Sequence, residues 1–266
     1  MIKPIIKSLV KFFGYEFRNI KQFEQTDDPY HVLSLILESD SINTIIDGGA
    51  SIGDISQKLS YMFPCSTVYA IEPYPAFHTN LEKIASENEK IQAVKIALSD
   101  KNGSEVLKIN KSEGTNSLLK SSEEGSAIYG DLLKTIGEIE VKSQMLDTFL
   151  DENSIEQVDL LKLDLQGSEL PALLGASKSL SDGRIKCILC EIMFHPHYEF
   201  QPSASAILHE LMDKHNYKLF NLYQPNYHHG YLCQADALLL HSSISSATKL
   251  KAQQFFHPNS NFSFNA

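Results

Sequence analysis

The stretch that decides the fold runs from Ile42 to Glu72, I-N-T-I-I-D-G-G-A-S-I-G-D-I-S-Q-K-L-S-Y-M-F-P-C-S-T-V-Y-A-I-E. Thr44, Ile45 and Ile46 are β-branched and stop at Asp47-Gly48-Gly49, the pattern of a buried strand ended by a turn. Ile52, Ile55, Leu59 and Met62 then recur at helical spacing, Pro64 closes the helix, and Thr67 to Ile71 reads as a second strand. Glycines in the first turn of such a unit let a ligand approach the backbone and the helix N-terminus. Glu72, closing the second strand, is placed to accept hydrogen bonds from a ribose diol. The expected fold is α/β, built on a parallel sheet.

Two cofactor classes use this arrangement. A dinucleotide asks for G-x-G-x-x-G, whose free N–H groups and helix dipole face a pyrophosphate. Here the glycines stand at 48, 49 and 53, and Asp47 sits where it would repel a phosphate. S-adenosylmethionine carries an α-ammonium and a sulfonium and no phosphate, so an acid beside the glycines favours it. An NAD-dependent oxidoreductase is disfavoured on these grounds and by the lack of a Tyr-x-x-x-Lys pair. A turn whose glycines serve geometry alone, in a non-catalytic binding module, is the bland alternative; acids at every expected cofactor contact weigh against it.

Val158 to Gly175, V-D-L-L-K-L-D-L-Q-G-S-E-L-P-A-L-L-G, is the second informative stretch. A buried strand, Leu160 to Leu163, delivers Asp164 to its C-terminal end, Gln166-Gly167 turns the chain, and Ser168 to Leu174 opens a helix. Glu169 lies in the first turn of that helix, where the dipole favours an acid. Ligands of open α/β sheets bind outside the carboxyl ends of the strands. Asp164, Gln166 and Glu169 are therefore expected on one rim with Asp47, Glu72 and Asp100. Arg184 to Met193 reads as a further strand ending at Glu191, and F-H-P-H-Y-E-F after it adds His195, His197 and Tyr198. Histidines there can serve as bases or metal ligands.

The blocks I-I-D-G-G-A-S-I-G, A-I-E-P-Y-P, A-L-S-D, D-L-L-K-L-D-L-Q-G-S-E-L-P-A-L-L-G-A, L-C-E-I and A-D-A-L-L-L together resemble, in order over roughly residues 40 to 241, the FkbM family of S-adenosylmethionine-dependent methyltransferases. The glycine block is shared with class I methyltransferases at large; the K-L-D-L-Q-G-S-E-L block is not. The resemblance implies a Rossmann-like class I methyltransferase fold, with a seven-stranded, mostly parallel sheet and helices on both faces. It further implies O-methylation of a hydroxyl on a sugar or natural product, with S-adenosylhomocysteine as the product. On that reading Asp47, Gly48, Gly49, Ala50 and Gly53 cradle the methionine part and Glu72 holds the ribose. Ala97, Leu98 and Ser99 line the adenine, and Asp164 and Gln166 stand beside the sulfur. Many family members carry Glu where this chain has Gln166. The acceptor's proton goes to Glu191, His195 or Asp164. A metal-assisted variant would use the same three as ligands, although no metal is expected.

The rest of the chain sets bounds. At 266 residues it can bury a full core, and its net charge of −10 argues against nucleic acid as a partner. No apolar run reaches the ~18 to 20 residues that cross a bilayer. Cys187 and Cys190 have C-x-x-C spacing inside a strand, where positions three apart face opposite ways, so buried free thiols in a reducing cytoplasm are expected. Ile2, Ile6, Leu9, Val10 and Phe13 share one helical face, with Lys3, Lys7 and Lys11 on another. Such a helix can lie on an anionic membrane, pair with a partner or second copy, or pack on the protein's own body. The expected division is an N-terminal helical extension over 1–40, a methyltransferase domain over 41–241 and a polar tail over 242–266. Within the domain, Ile91 to Leu98 reads as a third strand, Asp100 to Gly103 as a hairpin turn, 110–137 as a lid loop, and Gln224 to Gly230 as a polar loop.

Overall fold

The structure, a computed structural model, describes residues 28–37 and 41–244. The amphipathic helix expected near the start, and the tail beyond residue 244, lie outside the described residues. The described residues form ten strands: β1 (Thr44–Gly48), β2 (Thr67–Ile71), β3 (Ile91–Val94), β4 (Ala97–Leu98), β5 (Gly103–Asn110), β6 (Thr135–Gln144), β7 (Val158–Leu163), β8 (Ile185–Met193), β9 (Tyr217–His228) and β10 (Tyr231–His241). The helices are α1 (Pro29–Ile36), α2 (Asp54–Met62), α3 (Pro75–Glu87), α4 (Glu123–Tyr129), α5 (Leu146–Glu152), α6 (Glu169–Leu174), α7 (Ser177–Ser181) and α8 (Ala204–Leu208), the last continuing into a π turn over His209–Lys214.

Seven strands form one sheet in the order β3-β2-β1-β7-β8-β10-β9. The first five are parallel and β10 runs antiparallel to both of its neighbours. This is the expected mostly parallel seven-stranded sheet. Successive strands step outward from β1 in one direction and from β7 in the other, so the order reverses between these two. Such a switch point leaves a crevice at the strand ends. Asp159, at the opposite end, accepts from the N–H groups of Asn43 and Thr44 and from Lys186, which ties β1, β7 and β8 together.

Neighbouring side chains alternate between two cores, as a pleated sheet requires. Ile46, Leu161 and Cys190 pack under Leu150 of α5, Leu173 of α6 and Ile207 of α8. Ile45, Leu160 and Cys187 face the other way, against Leu33 and Ile36 of α1, Leu59 of α2 and Leu81 of α3. The two strand cysteines thus lie on opposite faces, both buried and free. Helix α1 belongs to the extension in the sequence-based division, yet it shares this core.

Three expectations are corrected. The strand expected from Ile91 to Leu98 breaks: β3 stays in the main sheet, while β4 leaves it to pair parallel with β6. Ile96, Ala97 and Leu98 are all buried, and three buried neighbours do not fit an alternating edge strand. The turn over Asp100–Gly103 is also no tight hairpin. It carries the chain across β6, for Ala97 and Gly103 both lie opposite Ser143, in a separate sheet ordered β4-β6-β5. Finally, Gln224 to Gly230 is mostly strand. The turn falls later, at His229 (φ 49°) and Gly230 (φ 83°), the two positive φ values of a tight hairpin.

The lid expected over 110–137 has a structure of its own. It joins β5 to β6 through a 3₁₀ turn at Glu113–Thr115, then α4, then a second 3₁₀ turn at Gly130–Leu133. Ser122 caps α4 by accepting from the Gly125 N–H, and Glu123 and Glu124 follow in the dipole-favoured first turn.

Candidate active site

A cleft of about 670 Å³ opens at the carboxyl ends of β1, β2 and β7. Its polar floor is set by Gly49, Ser51, Glu72, Asp164 and Gln166; Phe77, Ile96, Leu98 and Leu107 give it apolar walls. The segment between β5 and β6 closes it with Glu113, Asn116 and Ser117, so the expected lid does face the site.

The glycine turn is built for close packing, and its donors are used internally. A Cβ on Gly49, whose φ is +73°, would come 1.9 Å from the Asp164 carbonyl oxygen, so only glycine lets this turn meet the end of β7. The N–H groups of Gly49 and Ala50 both donate to the Ile71 carbonyl, that of Gly53 donates to Ala50, and that of Ser51 donates to Glu72 Oε2 at 3.0 Å. None of these four is left for a pyrophosphate. Glu72 Oε1 also accepts from the Tyr74 N–H at 2.8 Å. Each of its oxygens thus takes one backbone donor and keeps a lone pair for a ligand in the cleft. Burial pushes its carboxyl above the ordinary value, and the two N–H bonds offset this only in part.

Asp47 sits behind the turn, and Lys162 explains why. Asp47 is fully buried, accepting from Ser56 Oγ at 2.6 Å and paired through Oδ1 with Lys162 Nζ at 3.2 Å. Lys162 projects from near the C-terminal end of β7, donates to the carbonyls of Gly48 and Gly49, and lies 3.9 Å from Asp164. Burial alone would lower its pKa, but Asp47 and Asp164 outweigh that and hold it charged. Asp47 is therefore neutralised inside the protein and does not line the cleft. The expected repulsion of phosphate comes from other side chains: Glu72, Glu113 and Asp164 line the cleft, and among the described residues no Lys or Arg does.

Gln166 is the node of the rim. Its backbone takes φ 52°, unusual for a non-glycine residue. Its amide nitrogen donates to Asp164 Oδ1 at 2.8 Å and to Glu191 Oε2 at 3.2 Å. Its amide oxygen accepts from the Tyr198 hydroxyl at 2.9 Å. Between two carboxylates an amide supplies the donors that a glutamate could not, which is a physical reason for Gln at this position. Glu191 also accepts from Gln234, and burial, then Asp164 and Glu169, raise its pKa well above the ordinary carboxyl value.

A second cavity, about 440 Å³, lies on the far side of Asp164, with Tyr30, Lys162, Glu191, Gln224 and Asp236 in its wall. Asp164 is common to both spaces. Burial, and then the Asp164 charge, push the Asp236 carboxyl up to about 6.

Of the residues expected at the site, Gly49, Glu72, Ala97, Leu98, Asp164 and Gln166 line the cleft. Gly48, Ala50, Gly53 and Ser99 do not; they shape the turn and the strand ends behind it. His195 lines neither space and sets its ring edge-on to Tyr231, so Asp164, Glu191 and His195 are not brought together as a ligand set. Among the described residues no group of three or more His, Cys, Asp or Glu is disposed to hold a metal. His197 and Tyr198 are buried beneath the rim, and burial lowers the His197 pKa to about 4. Lys162, Asp236 and Tyr30 were not expected. The legible signal for Lys162 was a lone cation inside the apolar run of β7.

Glu169 faces inward as well. Its Oε1 accepts from the N–H groups of Leu165 and Gly167, and burial raises its pKa to about 7. Glu169 therefore stabilises the fold fully only below its unfolded value near 4.5, and that contribution is lost as pH rises through 7. Glu169→Gln keeps an oxygen for both N–H groups and does not titrate. Between pH 5 and 8 the stability difference should move in favour of the variant by about 2–3 kcal/mol. Urea unfolding of both proteins across that range checks this; a flat difference would mean that Glu169 titrates normally.

The family described as Methyltransferase FkbM domain matches residues 47–219. A 2-O-methyltransferase, NoeI, of Sinorhizobium fredii (strain NBRC 101917 / NGR234) is 24% identical over 184 residues, covering 66% of this chain and 73% of that protein. Methyltransferase 1 of Beauveria bassiana (strain ARSEF 2860) is 30% identical over 142 residues, 49% of this chain and 57% of that relative's length. Among solved structures, Aeropyrum pernix fibrillarin in complex with natively bound S-adenosyl-L-methionine gives a TM-score of 0.44 at 13% identity, over 76% of this chain and 67% of that one. A rRNA methylase from Streptococcus thermophilus gives 0.44 at 14% identity, over 80% and 93%.

Proposed function

The chain belongs to the FkbM methyltransferase family, and we propose that it transfers a methyl group to a hydroxyl oxygen of a small-molecule or glycan acceptor. S-adenosylmethionine is the cofactor. The residues of the cleft fit it: three acids and no cation suit a ligand carrying a sulfonium and an ammonium. Buried polar atoms that lack a protein partner, Ser168 Oγ and Asn116 Nδ2, belong to residues of the same wall. Glu72 would hold the ribose hydroxyls, and Phe77, Ile96 and Leu98 would sandwich the adenine.

One observation carries the O-methylation reading: Asp164 stands in the partition between the cofactor cleft and a second cavity. When bound, the cofactor supplies a methyl carbon already activated by its sulfonium, so the protein's tasks are alignment and removal of the acceptor's proton. Asp164, held by Gln166, is placed to accept that proton, with Glu191 behind it and His195 away from both spaces. The 2-O-methyltransferase among the relatives favours oxygen as the methyl acceptor. The buried thiols Cys187 and Cys190 suit a reducing cytoplasm.

Calorimetric titration with S-adenosylhomocysteine, with NAD in parallel, tests the cofactor half; labelled methyl transfer from S-adenosylmethionine to hydroxyl acceptors tests the rest. Micromolar binding of the former alone is expected. Binding of NAD alone, or an Asp164→Ala variant that keeps full turnover, would overturn the respective half.

A further inference from the structure

The second cavity is walled in part by a residue from outside the matched family region. Tyr30 lies in α1, whereas the family match begins at residue 47. Asp28 caps α1 by accepting from the Tyr30 N–H, Pro29 starts it, and Val32, Leu33 and Ile36 anchor it in the core of the sheet. The cap fixes where Tyr30 sits, and Lys58 lies 4.5 Å over its ring while pairing with Asp28. Tyr30 is only 6% exposed, lines the cavity, and has no hydrogen bond to its hydroxyl among the described residues, which leaves that hydroxyl for a ligand. Its electrostatic neighbours are Lys162, Asp47, Asp236 and Asp164, the charged groups in and just behind the wall of the cavity.

The charge of that wall is lopsided. Asp164, Glu191 and Asp236 contribute three carboxyl groups, and Lys162, the one cation in that wall among the described residues, is spent on Asp47 and on the carbonyls of the glycine turn. A ligand here meets carboxyl oxygens and Tyr30 in the same wall. Hydroxyl groups, which donate and accept, satisfy both, and an ammonium satisfies the carboxylates. A phosphate or carboxylate would be desolvated against like charge.

We infer that α1 completes the acceptor site, with Tyr30 as a specificity-determining residue that hydrogen-bonds an uncharged or amine-bearing polyol and with the acidic wall excluding anionic acceptors. This rests on the methyltransferase reading above and adds the acceptor's class.

The test uses the full chain saturated with S-adenosylhomocysteine and carrying 3-fluorotyrosine, the Tyr30 signal being assigned by its loss in Tyr30→Phe. Four matched probes are titrated: a methyl hexopyranoside, its 2-amino counterpart, the uronate and the 6-phosphate. The first two are expected to shift the Tyr30 resonance, and the last two to bind at least about tenfold more weakly. Tyr30→Phe should weaken the first two by about 3- to 10-fold, the loss of one neutral hydrogen bond, and leave S-adenosylhomocysteine affinity unchanged. Equal binding of the anionic probes, or a Tyr30 signal that no probe moves, would overturn the inference. Failure to bind S-adenosylhomocysteine would instead overturn the cofactor assignment on which it rests.

Discussion

Lys162→Met is expected to destabilise the protein by about 3–5 kcal/mol, the usual consequence of stranding one partner of a buried ion pair. Three contacts go at once: the charge facing Asp47 at 3.2 Å and the donors to the Gly48 and Gly49 carbonyls. Methionine fills much of the volume, so the loss is electrostatic and not a cavity effect. Asp47 keeps only the Ser56 hydroxyl as a partner. Urea unfolding gives the size; pairing Lys162→Met with Asp47→Asn should restore about half or more, since the second change removes the stranded charge. A single variant within about 1 kcal/mol of wild type would show that the pair contributes little.

That pair also marks where the sequence could and could not be read. The βαβ unit from Thr44 to Ile71 was legible because a buried parallel strand writes a continuous apolar run and its stops are glycine and proline. Glu72 was legible for the same reason: a strand end is a fixed address. Asp47 has a strand-end address too, but which way a carboxylate turns depends on its partner, and Lys162 is 115 positions away by number and on the next strand in space. The acidic character of the cleft comes from Glu72 and Asp164, which were expected there, and from Glu113 in place of Asp47. The three-stranded sheet β4-β6-β5 was harder still, since β4 has only 2 residues and its partner Ser143 lies far along the chain from Ala97, which leaves no local pattern to separate it from the main sheet. Tyr30 could not have been found from spacing at all; only the packing of α1 brings it to the cavity.

The other large effect concerns binding. Glu72→Ala is expected to weaken S-adenosylhomocysteine binding by about 10²-fold or more, since a carboxylate holding a ribose diol makes two charge-assisted hydrogen bonds of about 1.5–3 kcal/mol each. The fold should suffer less than the site. Ser51 and Tyr74 lose an acceptor for their N–H groups, but the protein is also relieved of a buried carboxylate whose charge the burial resists. These terms oppose each other, so unfolding in urea should shift far less than affinity does. Glu72→Gln is no gentle control, for its amide nitrogen must face one of the same two N–H donors. The pH dependence separates a direct contact from a general loosening. Because burial raises the Glu72 pKa in the free protein, a ligand that needs the ionised form competes with a proton. Wild-type affinity should therefore fall as pH is lowered through that raised value, and the affinity of Glu72→Ala should stay flat over the same range. Parallel pH profiles, or a variant that binds as tightly as wild type, would take Glu72 out of the cofactor site and leave it as the clasp of the glycine turn.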